Sequence, residues 1–257
     1  MAEPDRRDIV ISRLGAAGCI APEEEAAVML AADPDHSTLE AWLRRREQGE
    51  PLAWIVGSTV FGGRRLRIEP GVYVPRPQSE ELARRAAAVL PAGGTLLDLG
   101  TGSGAVAAAV ASLAPSASVI GLDLSPAAAR CARSNGVPAA VADLAVVPIR
   151  PASVDVVVAV APYVPTDALR LLPPDVQRHE PRLALDGGTD GLDLVRAVGR
   201  TAAGALRPGG WLLVELGADQ DVFLGPDLAA AGFSEPETWT DEDGDLRGLA
   251  VVRARRR

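Results

Sequence analysis

A glycine-rich loop between an apolar strand and a helix is the first feature of this sequence that could do chemistry. Residues 96–106 read LLDLGTGSGAV. The glycines let a ligand approach the backbone closely, and the N-terminus of the following helix offers unpaired N–H groups. The pattern is typical of nucleotide sites. Alone it does not choose among them, because Gly100, Gly102 and Ala105 also satisfy the dinucleotide fingerprint.

Aspartates near the ends of the predicted strands narrow the choice of ligand. Asp98 lies just before the loop, where its charge would repel a pyrophosphate and attract the ammonium and sulfonium groups of S-adenosylmethionine. Asp123 ends the next apolar run, where a carboxylate can accept hydrogen bonds from both ribose hydroxyls. The alternatives are a helix-capping carboxylate for Asp98 and a turn residue for Asp123. Asp143 is either an acceptor for the adenine amino group or an exposed loop acid.

These features together predict an S-adenosylmethionine site and no metal. The site would draw its residues from the glycine loop and from the ends of the strands. The predicted cofactor-binding residues are Asp98, Gly100, Thr101, Gly102, Ser103, Gly104, Asp123, Leu124, Asp143, Leu144 and Val160.

The second chemical feature is an apolar run that stops at a proline and a tyrosine. Residues 158–165 read VAVAPYVP. A side-chain amide at position 160 would make this strand end an amide-binding corner, but Val160 offers neither donor nor acceptor. Tyr163 is either an ordinary core aromatic or a surface for a substrate. We favour the substrate role.

The elements that must position these residues follow an α/β pattern. Apolar runs at 95–99, 117–122, 139–142, 154–160 and 211–216 predict strands, and amphipathic segments at 104–113, 126–134, 191–206 and 220–231 predict helices. Alternation of this kind predicts a parallel sheet covered on both faces. A further strand at 248–253 is expected to be antiparallel, at the end of the sheet.

The first part of the chain has a different organisation. Helical patterns cover residues 6–16, a segment that begins at 22, and 37–50, and residues 58–74 predict a β-hairpin before a helix at 79–89. We therefore predict an N-terminal helical domain over 1–57, a hairpin linker over 58–77 and a Rossmann-like domain over 78–257.

Composition excludes several classes of function. The net charge of −8 argues against binding to nucleic acids or anionic membranes, and the basic run at 253–257 is expected to be a solvated tail. No apolar run is long enough to cross a membrane. Cys19 and Cys131 lie far apart without a metal-ligand pattern, which favours a reducing cytoplasm. A monomer is favoured.

The sequence resembles the protein-(glutamine-N5) methyltransferases, which modify peptide chain release factors. The similarity covers nearly the whole chain. It is carried by GEPLAWIVG at 49–57, VPRPQSE at 74–80, DLGTGSGAV at 98–106, LDLSPAA at 122–128 and EPRLALDGG at 180–188. The PRP and EPRLALDGG stretches are quite specific to this family, whereas the glycine loop is generic to enzymes that use S-adenosylmethionine.

The resemblance implies a class I methyltransferase fold and glutamine methylation of a protein such as a release factor. The catalytic corner would be Val160, Ala161, Pro162 and Tyr163, and Pro75, Arg76, Pro77, Pro162 and Tyr163 would bind the substrate. In the family this corner reads Asn-Pro-Pro-Tyr, and its asparagine accepts an N–H of the substrate amide. A buried hydrogen bond lost at Val160 costs ~1–3 kcal/mol, or roughly ten- to several-hundredfold in rate.

Two alternatives to the glutamine enzyme remain open. One is a methyltransferase that acts on a small molecule or another nucleophile, which the altered corner favours. The other is a protein that binds S-adenosylmethionine with weakened or no catalysis, which the intact Asp98, Asp123 and glycines argue against. Arg76 is either a solvated loop cation or a wall of the substrate mouth, and His179 is expected to be a surface residue rather than a general base.

Overall fold

The computed structural model describes residues 5–144 and 146–255. Its helices are Arg6–Ala16 (α1), Pro22–Ala31 (α2), His36–Glu47 (α3), Leu52–Val56 (α4), Ser79–Val89 (α5), Ala105–Leu113 (α6), Pro126–Ser134 (α7), Pro174–His179 (α8), Asp193–Ala205 (α9) and Gln220–Ala230 (α10). Its strands are Ser58–Phe61 (β1), Arg64–Arg67 (β2), Thr95–Leu99 (β3), Ser118–Asp123 (β4), Ala139–Val141 (β5), Val154–Ala159 (β6), Leu206–Glu215 (β7), Glu237–Thr240 (β8) and Leu246–Val252 (β9). Short 3-10 helices cover Thr166–Leu171 and Arg182–Ala184.

The main sheet has seven strands in the order β5-β4-β3-β6-β7-β9-β8. The pairs from β5 to β7 are parallel, and β9 runs antiparallel to both β7 and β8. The parallel strands are apolar on both faces because helices cover both sides. Their carboxyl ends therefore meet at one edge of the sheet, where α/β folds bind their ligands.

The predicted α/β class and the antiparallel direction of the last strand are confirmed, but its position is wrong. β9 lies inside the sheet, and the edge is β8, which was not predicted. The segment ETWT of β8 buries only Trp239, so its sequence carries too weak an alternation to mark a strand. Gly248 of β9 leaves room for the Trp239 ring, since a side chain there would clash with it.

The N-terminal helices pack around an apolar cluster of their own. Its buried members are Val10, Leu14, Ala26, Met29, Leu39, Leu43 and Ile55. Helix α3 begins one residue before the predicted start, because Asp35 accepts a hydrogen bond from the Thr38 N–H at 2.7 Å. The chain turns at Gly49–Pro51 into the unpredicted helix α4.

Helix α4 joins this cluster to the rest of the molecule. Trp54 packs with the core of the sheet, and its indole N–H donates to the Val72 carbonyl at 2.9 Å. The division into a helical domain, a linker and a Rossmann-like domain stays a prediction. Residues 1–4 of that first domain and 256–257 of the predicted tail lie outside the described residues.

Nothing in the described ranges is a helix both long and apolar enough to traverse a lipid bilayer. Cys19 and Cys131 are free thiols. The hairpin predicted over 58–74 forms with a shorter span, as β1 and β2.

Candidate active site

A cleft opens at the carboxyl edge of the parallel strands, with about 1150 Å³ of empty space when the open solvent at its mouth is included. One part is lined by the strand ends and the glycine loop, and the other part by the segment before α5 and by the segment that follows α8. Predicted site residues on its wall are Pro75, Asp98, Gly100, Thr101, Gly102, Ser103, Asp123, Leu124, Asp143, Leu144, Val160 and Pro162. Tertiary structure thus gathers the ends of β3, β4, β5 and β6 around one space.

Asp98 is a buried carboxylate on the wall of this cleft, with 2% of its surface exposed. Its Oδ2 accepts a hydrogen bond from the Thr101 hydroxyl at 2.7 Å, and no ion pair reaches it from any described residue. Burial raises the pKa of Asp98 to about 7. A buried anion without a cation of its own suits a positively charged ligand, which supports the role predicted from its position.

The three glycines of the loop have different tasks. Gly100 and Gly102 line the cleft, and a side chain at Gly102 would meet nothing within 4 Å. Gly104 faces away from the cleft, because a Cβ there would lie 3.0 Å from the Cβ of Ala132. Gly104 therefore allows α6 to pack closely against α7, and it is not among the residues that line the predicted cofactor site.

Asp123 holds the shape of the loop and still faces the cleft. Its Oδ2 accepts the Gly102 N–H and its Oδ1 accepts the Ser125 N–H, both at 2.8 Å. Burial raises the pKa of Asp123. Each carboxylate oxygen has capacity for a second hydrogen bond, so the predicted contact with two ribose hydroxyls is compatible with this geometry.

The predicted catalytic corner is divided between the cleft and the protein interior. Val160 and Pro162 line the cleft, whereas Ala161 is buried with 2% exposure. Tyr163 is outside the lining, and its hydroxyl donates to Oε1 of Glu215 at 3.1 Å. Its role as a surface for the substrate amide stays a prediction.

Sequence reasoning missed Tyr73 and Ser79, which line the same cleft. Ser79 is the first residue of α5, and its hydroxyl donates to Oε2 of Glu215 at 2.5 Å. The Arg76 guanidinium lies 4.9 Å from the centre of the Tyr73 ring. Both residues belong to the stretch GVYVPRPQSE, and their place beside the PRP segment was the signal that could have found them.

Arg76 ties two loops together at the mouth of the cleft. Its guanidinium pairs with Oε1 of Glu180 at 2.5 Å, and only 2% of the Glu180 side chain is exposed. Pro181 and Leu183, which follow Glu180, line the cleft. Neither Arg76 nor Pro77 lines it directly, so their predicted contact with substrate stays a prediction. The Arg76 side chain is 29% exposed and ion-paired with Glu180, so it is not a freely solvated cation, and its role at the substrate mouth stays a prediction.

His179 lies outside the lining of the cleft. Its ring packs edge-on against Trp54, with 6.5 Å between the ring centroids. This contact joins α8 to α4 and gives the histidine a place in packing.

Comparison with known proteins identifies the family. A family model described as a methyltransferase domain matches residues 96–178. A release factor glutamine methyltransferase of Cereibacter sphaeroides is 37% identical, over 95% of this chain and 96% of that protein. This chain belongs to the release factor glutamine methyltransferase family. Its members are S-adenosylmethionine-dependent methyltransferases, as the resemblance indicated.

Two further similarities concern this methyltransferase. A 4-amino-L-phenylalanine/4-methylamino-L-phenylalanine methyltransferase of Streptomyces pristinaespiralis is 43% identical over 70% of this chain and 65% of that protein. A ribosomal protein L11 methylase from Lactobacillus delbrueckii subsp. bulgaricus shares the fold, with a TM-score of 0.52 and 22% identity over 74% of this chain and 86% of that one. The cofactor of this methyltransferase is S-adenosylmethionine. Asp98 lines the cleft without an ion-pair partner among the described residues, which fits the positive charge of that cofactor.

Proposed function

We propose that this methyltransferase transfers a methyl group to the N5 nitrogen of a glutamine side chain in a protein, and that the protein is a peptide chain release factor. The observation that carries the proposal is the end-to-end similarity to a release factor glutamine methyltransferase. The arrangement of the cleft supports it, because the predicted cofactor residues and the Pro162 corner share one space.

The chemistry requires a nitrogen held beside an activated methyl group. S-adenosylmethionine supplies that methyl group on a positively charged sulfur. The substrate nitrogen forms the new N–C bond with its lone pair, the C–S bond breaks with its electrons remaining on sulfur, and the nitrogen loses one proton. An amide nitrogen is a weak nucleophile, so orientation in the cleft must supply much of the rate.

The protein divides the cleft between the two partners of this reaction. Asp98, Asp123, Gly100 and Gly102 would hold the cofactor, together with Asp143 and Leu144. Pro75, Val160 and Pro162 would contact the acceptor. Arg76 would act on the acceptor through the loop that it fastens to Glu180.

A second candidate is methylation of the amino group of a small aromatic molecule. Two observations favour it. Val160 removes the side-chain acceptor that the family motif provides for an amide, and the Streptomyces pristinaespiralis relative is named for an arylamine substrate. An arylamine nitrogen keeps more of its lone pair than an amide does, so it depends less on a pair of acceptors.

The two functions are separated by offering both acceptors to the same protein. The wild type would be incubated with S-adenosylmethionine and either a release factor that contains a Gly-Gly-Gln sequence or 4-amino-L-phenylalanine. Mass spectrometry would then locate the added methyl group. Methylation of the glutamine supports the proposal, and methylation of the arylamine alone replaces it with the second candidate. Binding of S-adenosylmethionine without transfer to either acceptor would indicate a protein that binds the cofactor without catalysing transfer.

A further inference from the structure

Glu215 lies beside Val160 on the neighbouring strand, at the same edge of the sheet. In the parallel register of β6 and β7, Val158 faces Leu213 and Ala159 faces Val214. Strand β6 ends at Ala159, and the same register continued by one residue would set Val160 opposite Glu215. Side chains alternate along a strand, so both point to the face covered by α5, where Val158 and Leu213 are packed. A carboxylate therefore adjoins the valine that interrupts the family motif.

The carboxylate of Glu215 is buried and is held by two hydroxyl groups. Only 2% of Glu215 is exposed. Oε2 accepts the Ser79 hydroxyl at 2.5 Å, and Oε1 accepts the Tyr163 hydroxyl at 3.1 Å. Within the described ranges no arginine forms an ion pair with it. Arg247, whose charge lowers the pKa of Glu215, is paired with Asp241. This arrangement satisfies both oxygens of the carboxylate.

Ser79 connects this buried carboxylate to the cleft. Ser79 lines the cleft together with Val160 and Pro162. Its hydroxyl donates its hydrogen to Glu215. A serine oxygen that donates its only hydrogen can act toward any other group only as an acceptor, through its lone pairs. A substrate N–H at this end of the cleft is the kind of group that it can bind.

We propose that Ser79, oriented by Glu215, is the hydrogen-bond acceptor for the methyl-accepting nitrogen, in the position that an asparagine at 160 would otherwise serve. The proposal rests on the proposed function and deepens it. Ser79 binds the acceptor, and Glu215 is a positioning residue that acts through it. The acceptor is accordingly a nitrogen that carries at least one N–H, which a glutamine amide and a primary or secondary arylamine both have.

Ser79 and Glu215 can also accept the proton that leaves the substrate nitrogen. As the nitrogen gains its methyl group, its proton passes to the Ser79 oxygen while the Ser79 proton passes to Oε2 of Glu215. The serine is unchanged and Glu215 becomes a neutral acid. Burial raises the pKa of Glu215, while the hydrogen bonds from Ser79 and Tyr163 and the charge of Arg247 oppose the rise, and a raised pKa suits a group that takes up a proton.

The test compares Ser79→Ala, Val160→Asn and the double variant with wild type. We would measure kcat and KM for the glutamine-containing release factor and for 4-amino-L-phenylalanine, together with the Kd for S-adenosylmethionine. Ser79→Ala should lower kcat about 10- to 100-fold and change the cofactor Kd less than about twofold. Val160→Asn in the Ser79→Ala background should restore at least about tenfold of the loss, because the asparagine oxygen can accept the same N–H.

Two other variants distinguish an effect on the orientation of Ser79 from an effect on the stability of the protein. Tyr163→Phe also removes one hydroxyl from Glu215, but that hydroxyl lies outside the lining of the cleft. It should destabilise the protein as much as Ser79→Ala and reduce kcat less. Glu215→Gln should lower kcat with little change in KM, because its amide oxygen can still accept the Ser79 hydroxyl and leave the serine lone pairs to the substrate, but a neutral amide cannot take up the departing proton.

Failure of the inference is distinct from failure of the proposed function. If wild type methylates glutamine and Ser79→Ala does so within twofold of its kcat, the inference is overturned and the function stands. If wild type methylates only the arylamine, the function is replaced, and the Ser79→Ala result with that acceptor decides the inference. If neither acceptor is methylated, and neither binds to the complex with S-adenosylhomocysteine, both are overturned.

Discussion

Asp98 and Glu215 are buried carboxylates with similar surroundings and different partners. Each is 2% exposed at the carboxyl edge of the sheet, and neither has an ion-pair partner in the described part of the chain. Glu215 is satisfied by two hydroxyls, whereas the described side chains give Asp98 one, from Thr101. Asp98 also has a backbone hydrogen bond with Ala107. What distinguishes the two carboxylates is access, because Asp98 lines the cleft and Glu215 does not.

Binding of S-adenosylmethionine should release protons at pH 6. The pKa of Asp98 is raised to about 7 by burial, and Asp123 adds to the rise, so much of Asp98 is protonated at pH 6. A cationic ligand favours the ionised form and lowers that pKa, so affinity should increase with pH up to about 7 and then level off. Titration calorimetry at pH 6 in buffers of different ionisation enthalpy measures the protons released.

Asp98→Asn is the control for this prediction. It should bind the cofactor about 10- to 100-fold more weakly, since it loses a charged hydrogen bond, and its binding should release no protons at pH 6. Binding enthalpies for wild type that do not depend on the buffer at pH 6 would contradict the assignment of the proton to Asp98.

At the scale of elements, the loop between β3 and α6 combines ligand binding with packing. Gly102 has an open space beside it, with a φ of 56°, and Gly104 has a φ of 79° and the backbone and side chain of Ala132 within 3.1 Å of a Cβ placed there. The spacing of the glycines in the sequence does not distinguish them. Only the position of α7 against α6 shows that Gly104 serves the contact between these helices.

Alanine substitutions at these two glycines should therefore separate binding from stability. Gly104→Ala should lower the free energy of unfolding by about 2–5 kcal/mol, because its left-handed backbone disfavours a side chain and α6 must also move away from α7. Gly102→Ala should cost about 1–2 kcal/mol for its left-handed backbone and should weaken cofactor binding more than Gly104→Ala does. Thermal unfolding measures the loss of stability in both variants, and a cofactor titration measures the loss of affinity. Equal losses of affinity would contradict the assignment of Gly102 to cofactor binding and of Gly104 to helix packing.

At the scale of the whole molecule, buried acids set how stability depends on pH. Burial is the largest cause of a raised pKa at Asp98, Asp123, Glu180 and Glu215. A folded state that holds protons more tightly than the unfolded state loses stability as pH rises through that interval. Partly exposed acids paired with arginine, such as Glu50 and Asp241, have lowered pKa values. They make the folded protein lose stability as pH falls, which is the opposite direction.

The free energy of unfolding should accordingly be higher at pH 5.5 than at pH 7.5. For Asp98 the interval runs from the ordinary value of 3.8 to about 7, so the decline should flatten above pH 7. Urea unfolding of the protein without cofactor at several pH values measures it, and Asp98→Asn should make the dependence shallower. Stability that increases from pH 5.5 to pH 7.5 would show that the paired surface acids dominate.

The sequence alone determined the α/β class, most element positions and the cofactor. Strand β3 and helix α7 fall at their predicted bounds, because apolar runs, an N-terminal proline and helix caps are local signals. The glycine loop with Asp98 and Asp123 indicated S-adenosylmethionine because these residues, too, are recognised from local sequence. Strand, loop and helix are contiguous there, so local pattern and ligand chemistry coincide.

Only the tertiary structure decided how the acceptor end of the cleft is built. Ser79 and Glu215 are separated by 136 positions in the chain, and no local pattern links a helix start to the end of a distant strand. The insertion of β9 inside the sheet and the position of Tyr163 outside the cleft also depend on packing between remote segments. In the sequence, Val160 indicates only that a hydrogen-bond acceptor is missing. The folded chain brings Ser79 to the same cleft, and the buried carboxylate of Glu215 orients the Ser79 hydroxyl.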